Sequence, residues 1–159
     1  MMKRISLLLA FLISSIVFAQ KIATKVFDRP TYSILVPEIW KVMDNNEIVN
    51  IFPDNQIGAI TISEYHDLAL PESETKKFIL ALYRSTDEES KIKSRSGKKG
   101  YTEYSYEYFD EKEKLYWTTK VFQKEKDLYL ITINCKEKYW NGNYMSLFNE
   151  TFNSFKIKK

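Results

Sequence analysis

From Tyr101 to Cys135, aromatic and β-branched residues alternate with polar ones, and two charged clusters, Asp110 to Glu113 and Gln123 to Asp127, interrupt the alternation. A period of two sends successive side chains to opposite faces of a strand, and solvating charge marks turns. The pattern therefore predicts a three-stranded antiparallel meander. Side-chain compatibility predicts its register. Pairing Phe109 with Lys114 sets Tyr104, Tyr106 and Tyr108 opposite Thr119, Trp117 and Leu115, and Glu103 across from Lys120. A slip of one residue would set Glu107 against Trp117. Carried across the second turn, this face places Val121, Thr119, Trp117 and Leu115 beside Tyr129, Ile131, Ile133 and Cys135, and it is expected to be the core. The other face holds Thr118, Lys120, Thr132 and Asn134 but also Phe122, Leu128 and Leu130, which need cover. A sheet covered at least in part on both faces follows.

Upstream, Tyr32 to Val36 reads as a first strand stopped by Pro37, which has no N–H for the ladder, and the turn after it returns Trp40 toward the sheet. Ile48 to Phe52 and Ile57 to Tyr65 form the next pair around Pro53-Asp54-Asn55-Gln56, with Gly58 marking a bulge. A helix begins at Pro71. Glu72 and Glu74 suit its positive end, Phe78, Ile79 and Leu82 form one apolar face, and it ends near Arg84. Ser85 to Ser90 is a polar loop, and Lys91 to Arg95 a strand that turns through Gly97-Lys98-Lys99-Gly100 into the meander. A last helix starts around Asn141 to Asn143, with Tyr144, Leu147, Phe148 and Thr151 at helical spacing, and Ser154 to Ile157 is an extended tail.

The N-terminus changes the picture. Lys3 and Arg4 precede an apolar run from Ile5 to Phe18, which ends in Val17-Phe18-Ala19 with small residues at the positions a signal peptidase reads. Residues 1–19 are expected to be a secretory signal peptide and residues 20–159 a single exported domain, periplasmic or secreted, with no stable membrane insertion after cleavage. The 24 Lys and Arg exceed the 21 Asp and Glu by 3, and two of those cations belong to the leader, so the mature chain is close to neutral. Acids and lysines alternate through the turns instead of forming a phosphate-tracking stripe, which disfavours nucleic acid. The denser basic stretch from Lys91 to Lys99 reads as an exposed hairpin. The lone Cys135 cannot form an internal disulfide and is expected to be a small buried hydrophobe.

Candidate chemistry is sparse. His66 is the only histidine, and Ser63-Glu64-Tyr65-His66-Asp67 gathers a hydroxyl, carboxylates and an imidazole within one strand end, where alternating faces keep a nucleophile from its base. One His and one Cys do not make the usual zinc sets, and the carboxylates lack calcium-loop spacing. Glu103 and Glu107 point outward from one strand and do not flank a sugar. Tyr104, Tyr106 and Tyr108 read as core before they read as a stacking platform. No catalytic residue, cofactor or metal ligand is assigned.

The order of elements resembles the PsbP-like group, including DcrB-like periplasmic proteins. A leader, an early strand running into Pro37-x-x-Trp40, a helix before a meander, and a terminal helix running into Ser154-Phe155 carry the resemblance. It implies an α+β fold, an antiparallel β-sheet with a C-terminal three-stranded meander flanked by helices on both faces as an α/β/α sandwich. It also implies a non-catalytic accessory or assembly role through binding an envelope protein. Two other readings remain: a periplasmic immunity protein neutralising a toxin, and a small hydrolase or ligand-binding domain using Tyr65, His66 and Asp67. Because loops carry recognition without disturbing a sheet, the partner-binding residues are expected to be Asp44, Glu47, Asp87, Glu88, Lys98 and Lys99.

Overall fold

Alternating apolar positions pair into strands wherever polar or charged turns let the chain reverse, and most of the chain is built this way. The computed structural model describes residues 22–97 and 100–158. The leader and the Lys98-Lys99 pair lie outside the described residues. The elements are β1 (Thr24–Asp28), β2 (Tyr32–Pro37), β3 (Lys41–Asp44), β4 (Ile48–Phe52), β5 (Gly58–Tyr65), helix α1 (Glu72–Leu82), β6 (Lys93–Ser96), β7 (Thr102–Asp110), β8 (Leu115–Lys124), β9 (Asp127–Lys136), helix α2 (Asn143–Asn153) and β10 (Lys156–Ile157). The fold is α+β. A seven-stranded antiparallel sheet runs β3-β4-β5-β9-β8-β7-β6, and a second sheet runs β1-β2-β10. Two strands go beyond the sequence reading: β1, which pairs with β2, and the short edge strand β3, which pairs with β4.

The meander forms, in a different register. Tyr104, Tyr106 and Tyr108 face Val121, Thr119 and Trp117, two residues from the expected pairing. The reason is the turn. Asp110 Oδ1 accepts the backbone N–H of Lys112 and of Glu113, both at 3.0 Å, and Lys114 takes a left-handed φ of 53°, so the ladder closes at Asp110–Leu115. A shift of two preserves which face each residue occupies.

The second turn has a larger effect. Lys124 pairs with Asp127, leaving a two-residue turn in which Glu125 adopts φ 53°, the positive value that tight hairpins require. Val121 therefore meets Leu130 and Thr118 meets Ile133. This one-residue slip moves Tyr129, Ile131, Ile133 and Cys135 to the face of Phe122 and away from that of Trp117, which corrects the expected core. Trp117 sits across from Asn134 and is only partly buried.

Two apolar clusters result. Tyr129, Ile131, Ile133 and Cys135 join Val49, Ile51, Ile60 and Ile62, and this cluster takes in β2 (Tyr32, Ile34, Val36) and α2 (Met145, Phe148, Phe152). Leu128 and Leu130 join Tyr104, Tyr106 and Val121 with Ile79 of α1. Alternation along β9 puts the two clusters on opposite sides of that strand. Gly58 makes no bulge. It pairs with Cys135, and a Cβ there would stand 2.3 Å from the Asn134 carbonyl oxygen, so glycine allows the close approach.

Candidate functional site

Along β9 the side chains facing α1 run Leu128, Leu130, Thr132, Asn134 and Lys136. The first two belong to the cluster under α1, and the next three change to polar. This gradient shows where the helix stops covering the sheet. At its edge, cross-strand neighbours line up as Asn50, Thr61, Thr132, Thr119 and Tyr106 in one row, of which Thr132, Thr119 and Tyr106 are still buried. Ala59, Asn134, Trp117 and Tyr108 form the next. The rows tie themselves together: Thr61 Oγ1 donates to Asn50 Oδ1 at 2.8 Å, and the Tyr83 and Thr119 hydroxyls hydrogen-bond. Burial pushes the Tyr83 hydroxyl up to about 12, so it remains a neutral phenol.

Two hollows lie on this open half. One, of about 400 Å³, is lined by Tyr83, Arg84, Tyr108, Asp110, Trp117 and Thr132. The other, of about 320 Å³, is lined among others by Met43, Asn50, Phe52, Leu115, Asn134 and Lys136. Trp117 packs against Tyr83, ring centroids 5.6 Å apart, and Tyr83 against Tyr108 at 5.2 Å. Arg84 reaches the rim from an unusual backbone. The Arg84 and Ser85 N–H groups return to the Ala81 and Leu80 carbonyls at 3.1 and 3.0 Å, closing α1 with a Schellman motif whose left-handed residue, φ 49°, is Arg84 where glycine is usual. Aromatic faces, amides, hydroxyls and two exposed cations, Arg84 and Lys136, make a surface for contact. They contain no nucleophile paired with a base.

The residues expected to bind a partner are dispersed. Asp44 accepts from Arg29 through both carboxylate oxygens at 2.7 Å. The Arg29 hydrogen bond, helped by the Asn46 N–H, holds its carboxyl below the usual range. Glu47 is exposed in the β3–β4 turn, at the end of the sheet away from the open half, since Ile48 pairs with Ser63 near the end of β5. Asp87 accepts from Lys91 Nζ at 2.9 Å and from the Tyr106 hydroxyl at 2.8 Å; Lys91 first, then Tyr106, lowers its pKa. Glu88 accepts from Ser90 Oγ at 3.2 Å. Asp87 lies over β7, far across the sheet from Asp44. The open face itself went unnoticed in the sequence, where the only signal for it was the fall from leucine to threonine and asparagine along β9.

The Ser63 to Asp67 segment does not converge. Ser63 is buried and faces Leu130, whereas Glu64 turns to the other side, accepting from Thr31 Oγ1 at 2.5 Å and lying 3.5 Å from Arg29 Nε. Tyr65 packs on Phe78. His66, 58 % exposed, sets Nδ1 2.9 Å from Asp127 Oδ1. That bond, partly opposed by desolvation, raises the imidazole pKa above its ordinary value. Cys135 is fully buried, and burial pushes its thiol up and away from reactivity. Among the described residues no three His, Cys, Asp or Glu side chains gather as a metal-ligand set.

No protein-family profile matches the sequence, and no curated protein matches it. Solved structures do match in three dimensions. The solution structure of cyanobacterial PsbP (CyanoP) from Synechocystis sp. PCC 6803 aligns with a TM-score of 0.63 over 89 % of this chain and 96 % of that one, at 14 % identity. The fold is PsbP-like. A crystal structure from Bacteroides thetaiotaomicron aligns with a TM-score of 0.54 at 13 % identity, covering 85 % of this chain but 48 % of that one, so this chain spans about half the length of that protein. The resemblance read from Pro37-x-x-Trp40 and Ser154-Phe155 thus extends to the three-dimensional fold. At these identities it concerns the fold alone.

Proposed function

We propose that the protein is a non-catalytic, exported accessory protein of the cell envelope that works by binding another protein. The observation that carries this reading is the open half of the large sheet. Trp117, Tyr108 and Tyr83, with Asn134 and Asn50 beside them, offer a hollowed surface rich in the aromatic side chains that protein interfaces favour at their centres. Export is supported by the Lys3-Arg4 leader sequence, and among the described residues no helix is long and apolar enough to cross a membrane. Asp87 and Glu88, which follow Arg84 in the chain, are proposed as further contacts beside this surface. Asp44, Glu47, Lys98 and Lys99 are proposed as secondary contacts.

The test is affinity capture from envelope extract with wild type, Asn134→Arg on the open face, and a charge-reversed Lys98/Lys99 variant, each checked for an unchanged melting curve. A specific partner is expected with wild type and lost with Asn134→Arg. A hydrolase substrate panel runs in parallel with His66→Ala. Turnover by the wild type that vanishes in His66→Ala would overturn the non-catalytic reading in favour of the hydrolase alternative.

A further inference from the structure

On the side of the sheet away from α1, one row of side chains takes no part in the surface described above. Lys93 pairs with Ser105, and Ser105 with Lys120, so the three stand side by side on neighbouring strands about 5 Å apart. The next row is Arg95 and Glu103. Glu103, expected from the sequence to point outward into solvent, is only 6 % exposed because Arg95 and Lys120 close over it. Its Oε2 accepts from Arg95 Nε at 3.0 Å and from a terminal guanidinium nitrogen at 2.7 Å, and its Oε1 lies 3.9 Å from Lys120 Nζ. Lys120 Nζ donates to Asn153 Oδ1 at 2.8 Å and lies 4.8 Å from the centre of the Phe152 ring. These groups line a cleft of about 440 Å³.

The charges in the cleft do not balance. Lys93, Arg95 and Lys120 meet a single carboxylate, and Arg95 already takes one of its oxygens. Among the described residues, neither the Lys93 ammonium nor the Ser105 hydroxyl has a side-chain partner. Lys120 shows the cost: burial first, then repulsion from Arg95, holds its ammonium below lysine's usual range despite the pull of Glu103. An added anion over Ser105 would relieve that position. A singly charged carboxylate fits better than a phosphate, because Glu103 is fixed beside the site and a doubly charged group would press against it. β6 is an exposed edge strand whose four residues are all solvent-facing, so an extended acidic segment has open access along it.

We infer that this cleft binds a carboxylate from an acidic segment of a partner protein, held between Lys93 and Lys120 with the Ser105 hydroxyl donating a hydrogen bond. The inference rests on the partner-binding reading and adds the chemistry of one contact.

The experiment titrates the mature chain with an oligoglutamate peptide, with inorganic phosphate as the competing probe, at low and raised salt. Wild type is expected to bind the peptide, more weakly as salt rises, and Lys93→Gln and Lys120→Met are each expected to weaken binding about tenfold. Ser105→Ala should weaken it less. Lys93 is exposed, so Lys93→Gln keeps the test sound should Lys120→Met disturb the fold. Equal peptide binding by wild type and Lys93→Gln overturns the inference, and so does phosphate binding more tightly than the peptide. Retention of a captured envelope partner by Lys93→Gln also overturns it, leaving the partner reading in place. Site-specific peptide binding with no partner captured by wild type supports the cleft and overturns that reading instead.

Discussion

At the scale of single residues, burial and charge pairing separate side chains that look alike in the sequence. Ile131 is fully buried between β5 and the α2 side of the core, so Ile131→Ala is expected to cost about 2–5 kcal/mol. Trp117, larger but partly buried over a hollow, is expected to lose less on truncation than this fully buried isoleucine. Urea denaturation of the two variants checks the order, and a larger loss at Trp117 would mean that the α1-side cluster dominates. His66 offers a pH test. Its folded-state pKa is raised above 6.5, chiefly by Asp127, so the small stabilisation from this exposed pair is present below about pH 6.5 and is lost as pH rises through the folded value. NMR titration is expected to place the imidazole above its ordinary value, and Asp127→Asn to bring it down.

Elements here are bounded by backbone conformations that side chains alone do not reveal. Arg84 ends α1 in the left-handed region, a conformation that costs a non-glycine residue about 1 kcal/mol. Arg84→Gly is therefore expected to stabilise the protein by roughly 0.5–1 kcal/mol, less the added entropy of the unfolded glycine. If Arg84 contacts the partner, the same variant weakens capture, a trade of stability for function that calorimetry and binding read separately. Gly58 is the converse case. A Cβ at that position meets backbone 2.3 Å away, so Gly58→Ala should force β5 from β9 and destabilise by about 1–3 kcal/mol. A melting temperature unchanged by that substitution would count against the close approach.

For the whole molecule, two long-range pairings join the chain's ends. β10 adds to β2 with Lys156 opposite Ser33, and the Ser154 hydroxyl accepts the Leu35 N–H at 2.8 Å. Neither partner is predictable locally, because each lies more than a hundred residues from the other. Processing also belongs at this scale. On the proposed reading of Val17-Phe18-Ala19 as a cleavage site, the mature chain is expected to begin at Gln20, and mass spectrometry finding Met1 to Ala19 retained would refute cleavage.

Period-two alternation was enough to predict β4, β5 and the meander, and Pro71 with two early glutamates was enough to place α1, because these signals act over a few neighbouring residues. The tail and the start of α2 were legible for the same reason. The core face of β9 was not, since it depends on whether the turn at Glu125 takes two residues or three, and the sequence Lys-Glu-Lys accepts either. β1 was missed because its residues are mostly exposed and acquire a strand only by lying against β2. The open half of the sheet, and the row of Lys93, Ser105 and Lys120, are decided by which strands become neighbours and how far α1 extends over them. Those are properties of packing between distant segments, and no local pattern encodes them.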